Sequence, residues 1–475
     1  MDVRKKVCVM GIILLLASLA LLVVGCGNKA DVTGDSEYSG GVYPENGLPK
    51  DQKVKLRFIY PVAGHGKEHF QYAVETFQKR FPNVEIDVRY IEAGLVAYRD
   101  IIRSLIQSGD EDEIYDWLYA ADQQLIAAGK YEPQDELWER PLYDRPDVKV
   151  KDVIDVDPRE LYKHGHIYCL PTGLSIFGVF YNKQIFDDLG LEEPKNWPEF
   201  IKVCEKIKAH GIYPMVMDGK HAANYFTFGW GNMPFAVGGE EYADAAYYQK
   251  PDLYISKPFI VFLERLAEFA KKGYLHPGTA SFDHTQSQME FIQGKAAMIT
   301  NGTWIANEMK DVTPPDFKWG FMPLPGNAPG EKRLLNLDSS GSGYIWKNKP
   351  ELIKKWVKEF NLWQLNLDIQ LRFAKAGGVP ARKDFLEKYE QEGELSPSVK
   401  VALEILKSPD IAVFSDTTER VISNSEMAKV HKKKGDCYIA LITGRMTPEE
   451  AAKVINDQYM KGLELDIKQN AQKDG

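Results

Sequence analysis

The sequence feature that most constrains the fold is the alternation of strand and helix patterns between residues 54 and 107. Residues 54–60 alternate apolar and polar side chains, and residues 70–81 repeat apolar side chains at helical spacing. A second strand pattern follows over 84–90 and a second helix pattern over about 96–107. This order predicts an α/β fold, in which helices cover the faces of a parallel sheet.

The loop after the first predicted strand is a candidate pocket wall. Ligands of such sheets bind at the carboxyl ends of the strands. The loop spans residues 61–66 and contains His65, which we therefore include among the candidate ligand-binding residues.

The N-terminus predicts export. Basic residues 4–6 precede an apolar run over 7–24, and Cys26 follows Val-Val-Gly. This pattern is typical of a secretory signal and resembles a bacterial lipobox, in which the cysteine is lipidated after cleavage. The alternative is a retained membrane span, since the run is just long enough to cross a bilayer. We favour a signal peptide over 1–25 and a protein lipid-anchored to the cell membrane on its extracytoplasmic face.

Composition beyond the signal is that of a globular protein without a second apolar span. About 450 residues remain, which is too many for one core, so two domains are expected. The net charge of −9 argues against nucleic acid as a partner. Cys169, Cys204 and Cys437 form no disulfide or metal-clip pattern, and we expect buried free thiols. Residues 26–51 are rich in small and polar residues and predict a flexible linker.

Several segments together resemble family 1 extracellular solute-binding proteins of ABC importers, the class that includes maltose-binding protein. In chain order they are GVFYNK at 178–183, PKNWPEF at 194–200, FIQGKAAM at 291–298, NGTW at 301–304, GFMPLPG at 320–326, GVPAR at 378–382 and GRMTPEEA at 444–451. Each motif is short, but all occur in the expected order and behind a lipobox.

The resemblance implies a two-lobed periplasmic-binding-protein fold (type II-like), with a sheet flanked by helices in each lobe and a ligand cleft between them. The implied ranges are 52–172 plus 323–373 for lobe 1 and 177–318 plus 374–475 for lobe 2. Crossings are implied near residues 172–176, 317–322 and 374.

The implied function is the capture of a sugar or oligosaccharide by hinge closure and its delivery to the membrane subunits of an ABC permease. The protein would then be a monomer without a cofactor, bound metal ion or enzymatic activity. A solute sensor that serves no permease is an open alternative.

Sugars present apolar C–H faces, on which aromatic rings stack. The resemblance places a stacking ring at Trp304 and a ligand-facing ring at Tyr225, and Trp230 follows as a second possible platform. A core position is the alternative for each of these rings.

Four polar residues complete the candidate ligand-binding set. Ser175 occupies a position where sugar binders of the family often place a carboxylate, and Ser339 lies in a segment resembling the cleft-edge loop of the family. Asp122 could accept two hydroxyl groups, or equally cap the helix that follows it. Arg382 is a candidate polar contact, with a surface salt bridge as the alternative.

An exported hydrolase is the competing class. His65, Glu68 and His69 fit a His-x-x-Glu-His zinc motif, although Gly66 makes a rigid metal-binding helix improbable there. A glycosidase would need two carboxylates at a set separation. With 68 acidic residues in the chain, the sequence cannot exclude such a pair.

Overall fold

The structure, a computed structural model, describes residues 40–62, 64–92, 98, 101–102, 104–105, 108, 114–115, 125–154, 156, 161–385, 395–416, 418 and 422–472. The strands in these residues are β1 (Val54–Pro61), β2 (Val84–Ile91), β3 (Ile114–Tyr115), β4 (Leu170–Asn182), β5 (Tyr213–Val216), β6 (Ala296–Gly302), β7 (Trp319–Met322), β8 (Arg333–Ser342), β9 (Val379–Pro380) and β10 (Ile411–Phe414). The α-helices are α1 (Glu68–Arg80), α2 (Val150–Val153), α3 (Lys183–Asp188), α4 (Trp197–Ala209), α5 (Ala222–Trp230), α6 (Asn232–Tyr247), α7 (Lys257–Lys271), α8 (His284–Ile292), α9 (Ile305–Glu308), α10 (Glu351–Trp363), α11 (Leu367–Lys375), α12 (Pro397–Leu406), α13 (Ala428–Ile442) and α14 (Pro448–Ala471). Short 3₁₀ helices lie at Asp135–Glu139 and Leu253–Ile255.

The first sheet confirms the predicted parallel arrangement. Its strand order is β2-β1-β3, and β1 pairs in parallel with both neighbours. Helix α1 connects β1 to β2 and buries Phe70, Ala73 and Phe77, which repeat at helical spacing. The predicted bounds of β1, α1 and β2 are each within two residues of the observed ones, whereas most of the second predicted helix (96–107) lies outside the described residues.

The second sheet is built around the 13-residue strand β4. Its order is β10-β8-β4-β6-β5, and β7 and β9 also pair with β4. The first half of β4 pairs with β8 and its second half with β6 and β7. One continuous strand therefore connects two differently composed parts of the structure.

The buried apolar residues fall into separate clusters on the two sides of β4. One pair of clusters draws on residues 59–170 and 344–381. The largest cluster draws on residues 179–324 and 422–463. Each therefore combines two distant stretches of the chain, which requires the chain to pass more than once between the two sides.

The C-terminal helix begins where the sequence predicts and extends further. Thr447 caps α14 through its side chain, which accepts from the backbone N–H of Glu450, and Pro448 occupies the first turn. The helix continues to Ala471, beyond the predicted end at about residue 463. Within the described residues, none of Cys169, Cys204 and Cys437 forms a disulfide. Cys204 and Cys437 are buried, as expected, whereas Cys169 is only partly buried.

Residues 40–51 are the described part of a first unit, and the rest of the described chain belongs to a second. Within the first unit, Val42 pairs with Pro49 and the Asn46 side chain accepts from the N–H of Leu48. The Asn46-Gly47 sequence favours such a tight turn. Residues 26–39 lie outside the described residues, and the flexible linker over 26–51 stays a prediction. Among the described residues no helix combines the length and apolarity that crossing a membrane requires.

Candidate functional site

Four aromatic side chains from three elements form the centre of the candidate site. The Trp304 ring lies edge-on to Phe177 at 5.8 Å and to Phe228 at 6.0 Å between centroids, and Phe177 and Phe228 stack at 4.3 Å. Tyr225 contacts Phe228 at 5.2 Å. Trp304 and Tyr225 are half-buried, so each keeps part of its ring available to a ligand.

Local structure explains how these rings meet. Tyr225 and Phe228 are three residues apart on α5 and share a face of the helix. Trp304 follows β6 and lies immediately before α9. A Cβ on Gly302 would lie 2.3 Å from the Trp304 ring, so glycine is required for the ring to lie over the end of β6.

A hydrogen-bonded polar group adjoins the rings. The His284 ring lies 5.0 Å from that of Tyr225, and its Nε2 is 2.6 Å from Oε2 of Glu308. Gln288 donates a second hydrogen bond, 2.8 Å long, to the same oxygen. Burial by itself would raise the pKa of the Glu308 carboxyl, but these bonds and the nearby histidines outweigh it and lower that pKa. Glu308 is therefore held as a carboxylate.

Ser175 faces a carboxylate on the next strand. The pairing of β4 with β8 places Ser175 opposite Asp338 and Leu174 opposite Ser339. All four residues are half-buried, and Ser415 donates a 2.8 Å hydrogen bond to Oδ1 of Asp338. A carboxylate therefore lies opposite position 175, on the neighbouring strand.

His65 lies where two distant parts of the chain meet. Its Nδ1 is 3.3 Å from the backbone oxygen of Ala376, and its ring packs at 5.0 Å against Phe373. Burial lowers the pKa of His65, so the imidazole is neutral at pH 7. Next to it, Asn307 of α9 donates a 2.7 Å hydrogen bond to the backbone oxygen of Gly64. The loop after β1 is therefore joined to the helix that follows Trp304.

Two of the candidate ligand-binding residues, Trp230 and Arg382, are buried inside the protein. Trp230 has no exposed surface and packs in the largest core cluster against Trp197 and Phe269. The reason is its place on α5, which turns Trp230 away from the face that bears Tyr225. It is a core residue, as the alternative interpretation held.

Arg382 is also buried, although the alternative was a surface salt bridge. Its guanidinium pairs with Asp144 at 2.9 Å and with Asp384 at 2.6 Å, and it donates to the backbone oxygen of Leu365. These bonds engage all three guanidinium nitrogens and hold Arg382 in a buried ion-pair cluster. Asp122 lies outside the described residues and stays a prediction.

The three residues that fit the His-x-x-Glu-His pattern do not lie on one helix. Helix α1 begins at Glu68, so His65 precedes it in a turn, while His69 lies in its first turn. The Nε2 of His69 shares a 2.8 Å hydrogen bond with the Tyr60 hydroxyl, and Glu68 accepts from the N–H of Lys67. Within the described residues, no three acidic, histidine or cysteine side chains form a metal-binding group.

Sequence reasoning missed the polar partners and two of the rings. His284 and Glu308 are 24 residues apart, and Phe177 belongs to an uninterrupted apolar strand. A signal for Glu308 existed, because it follows Trp304 by four residues and shares its side of a helical turn.

Comparison with known proteins gives one family. Residues 63–360 match the sequence profile described as bacterial extracellular solute-binding protein. An uncharacterized ABC transporter extracellular-binding protein of Pyrococcus horikoshii is 25% identical over 77% of this chain and 80% of its own length. The diacetylchitobiose binding protein NgcE of Streptomyces coelicolor is 23% identical over 65% of each chain.

Solved structures agree on the fold. A chitin oligosaccharide binding protein superposes with a TM-score of 0.69 at 22% identity and covers 86% of this chain and 99% of its own. The chain therefore has the α/β fold of two-lobed binding proteins, as the resemblance implied.

Proposed function

Because the chain belongs to the family of bacterial extracellular solute-binding proteins, we propose that it captures a sugar or oligosaccharide and delivers it to an ABC permease. It is a binding protein and not an enzyme, since proteins of this family bind solutes without converting them. The observation that supports a sugar ligand most directly is the half-buried Trp304 ring, four residues before Glu308, whose carboxylate is hydrogen-bonded to the His284 ring that packs against Tyr225.

The chemistry of these groups matches the chemistry of a sugar. An aromatic ring packs against the apolar C–H face of a pyranose, while a carboxylate accepts hydrogen bonds from its hydroxyl groups. His284 and Gln288 both bind Oε2 of Glu308, and among the described residues no hydrogen bond reaches Oε1, which would accept from a ligand donor. Tyr225 adds a second ring next to the same polar group.

The remaining ligand contacts are proposed on the strands and the loop around these rings. Ser175 and Ser339 lie on paired strands beside Asp338 and would contact hydroxyl groups. His65 is neutral and lies near Glu308, so it would contribute a neutral polar contact from the opposite lobe.

We propose the lobe boundaries of the resemblance, 52–172 plus 323–373 and 177–318 plus 374–475. Their support is the composition of three core clusters, which draw on nearly these ranges. A fourth cluster combines Leu335 of the lobe 1 range with Ile299 and Val399 of the lobe 2 range. Strand β4 spans the proposed crossing at 172–176, and β7 lies within that at 317–322. With these boundaries, the hydrogen bond from Asn307 to Gly64 joins the two lobes and would favour their closure.

A thermal-shift screen tests the ligand class. Chitobiose, chitotriose, maltose and raffinose are the first probes, chosen because two similar proteins are named for diacetylchitobiose and chitin oligosaccharide. A ligand that binds the folded state raises the melting temperature by mass action. We expect at least one saccharide to do so and to be recovered chemically intact. No shift with any saccharide, or steady conversion of one, would contradict the proposal.

We also propose that residues 1–25 are removed and that lipid on Cys26 anchors the protein at the outer face of the membrane as a monomer. The basic start, apolar run and lipobox-like end support this. Cys26→Ala should abolish incorporation of labelled lipid without changing the melting temperature of the mature domain. Unchanged membrane association of that variant in cells would instead identify residues 7–24 as a retained span.

A further inference from the structure

One oxygen of the Glu308 carboxylate remains available to a ligand. His284 Nε2 and the Gln288 amide both contact Oε2, at 2.6 Å and 2.8 Å. Among the described residues no hydrogen bond reaches Oε1, and 21% of the Glu308 side chain is exposed. Oε1 is not one of the fully buried polar atoms that lack a partner, so it is accessible to a ligand donor.

The described part of the protein gives this carboxylate no permanent positive charge. Its ion-pair partner there is His284, and no lysine or arginine pairs with it. An imidazole is charged only when it is protonated, and burial lowers the pKa of His65, the other histidine near Glu308.

Glu308 is nevertheless ionised. Although burial favours the neutral form, the hydrogen bonds from His284 and Gln288 outweigh it and lower the pKa of the carboxyl. A largely buried carboxylate without a permanent opposite charge is costly, so a cationic group on the ligand would stabilise it.

A second carboxylate lies on the sheet face that carries the rings. The register of β4 against β8 places Phe177 opposite Asn336 and Ser175 opposite Asp338. Because side chains two residues apart on a strand share a face, Asp338 lies on the same face of the sheet as Phe177. Phe177 contacts the Trp304 ring, so this face combines aromatic rings with negative charge.

The rings themselves also favour a cation. Tyr225 lies 5.0 Å from the His284 ring and 5.2 Å from Phe228, so it connects the polar group around Glu308 to the ring cluster of Trp304. The face of an aromatic ring attracts an ammonium group electrostatically. Tyr225 and Trp304 are half-buried, so each ring offers surface both to the C–H face of a sugar and to an ammonium substituent on it.

We infer that this site selects saccharides that carry a protonated amine, such as glucosamine units, over neutral saccharides of the same skeleton. The ammonium group donates to Oε1 of Glu308 while the rings contact the sugar. Because a hydrogen bond between charged groups is roughly twice as strong as one between neutral groups, the amine gains more than a hydroxyl group at the same position. This inference rests on the proposed function and adds the charge of the ligand to it.

Three disaccharides that share one linkage and differ only in the substituent on the second carbon test this preference. They are the glucosamine dimer, its di-N-acetylated form and cellobiose, titrated calorimetrically at a pH below the pKa of the amines. We expect the glucosamine dimer to bind about tenfold or more tightly than either neutral disaccharide. Acetylation removes the charge from the ligand, so this comparison does not depend on the folding of any variant.

Glu308→Gln assigns the preference to a residue. This substitution keeps the size of the side chain and removes its charge, so the glucosamine dimer should lose most of its advantage and bind within about threefold of cellobiose. Glu264→Gln, at an exposed position on α7, removes one negative charge elsewhere and should leave the advantage intact. The melting temperatures of both variants show whether each is folded.

Two results would overturn the inference and leave the proposed function standing. One is that a neutral saccharide binds at least as tightly as the glucosamine dimer. The other is that the glucosamine dimer keeps its full advantage in folded Glu308→Gln, which would place the amine elsewhere. Absence of binding by all three disaccharides and by every saccharide of the thermal-shift screen would contradict the inference and the proposed function together.

Discussion

The side-chain amide of Asn307 donates a 2.7 Å hydrogen bond to the backbone oxygen of Gly64, which precedes it by 243 residues. This bond joins the loop after β1 to helix α9, which follows Trp304 and ends at Glu308. With the proposed lobes and ligand site, α9 would couple ligand binding to lobe closure.

Asn307→Ala should shift the protein toward its open form. A hydrogen bond of this kind contributes about 0.5–1.5 kcal/mol, so the closed population should fall by up to about tenfold, and the apparent ligand affinity with it. Resonance energy transfer between fluorescent dyes on the two proposed lobes would measure the closed population. Lys310→Ala, an exposed neighbour, is the control. Equal energy-transfer efficiency in Asn307→Ala and in the parent would show that this hydrogen bond does not favour the closed form.

Trp304→Ala should weaken ligand binding with little loss of stability. A stacked ring contributes on the order of 1–3 kcal/mol, or roughly tenfold to a hundredfold in affinity. Trp230→Ala is the matched comparison, because that ring is fully buried and its loss should cost about 3–5 kcal/mol of unfolding free energy. Calorimetric titration and chemical denaturation distinguish the two. A large stability loss in Trp304→Ala would make Trp304 a core residue.

Glu308→Gln should weaken binding by about tenfold to a hundredfold, since hydrogen bonds to a charged group contribute about 1.5–3 kcal/mol. The substitution keeps the size of the side chain but removes its negative charge. Glu264→Gln, on the exposed face of α7, should change nothing. Affinity unchanged in Glu308→Gln would show that the carboxylate does not contact the ligand.

His69 should make the protein less stable in acid. Burial, with a smaller contribution from His65, lowers the pKa of His69 from 6.5 to about 3. Between these values the unfolded chain binds a proton that the folded protein does not, so stability falls as the pH drops from about 6.5 toward 3. The loss is roughly 1.4 kcal/mol per pH unit.

Denaturation at pH 7 and pH 4.5 measures this effect. His69→Gln keeps a partner for the Tyr60 hydroxyl and should reduce the difference between the two pH values, whereas His210→Gln, at an exposed position, should not. The same pH dependence in the parent and His69→Gln would contradict the assignment.

Arg382→Met should destabilise the fold by about 3–5 kcal/mol, because it leaves the carboxylates of Asp144 and Asp384 without their buried partner. Arg445→Met removes an exposed arginine and should have a much smaller effect. Ligand affinity of the folded Arg382→Met protein should match the parent. Lower ligand affinity with unchanged stability would indicate that Arg382 contacts the ligand.

The sequence by itself determined the fold class, the first two strands with the helix between them, and the family. Those features depend on local patterns, namely apolar alternation in β1 and β2, helical spacing in α1 and the Thr447 cap of α14. Trp304 and Tyr225 could be selected as candidate rings because short motifs surround them. Tertiary structure decided which side chains meet, because burial depends on what packs against each face of a helix. It placed Trp230 and Arg382 inside and brought His284 to Glu308. The register of β4 against β8 places Asp338 opposite Ser175. No pattern within either segment specifies this register, because the pairing of strands depends on contacts distant in sequence.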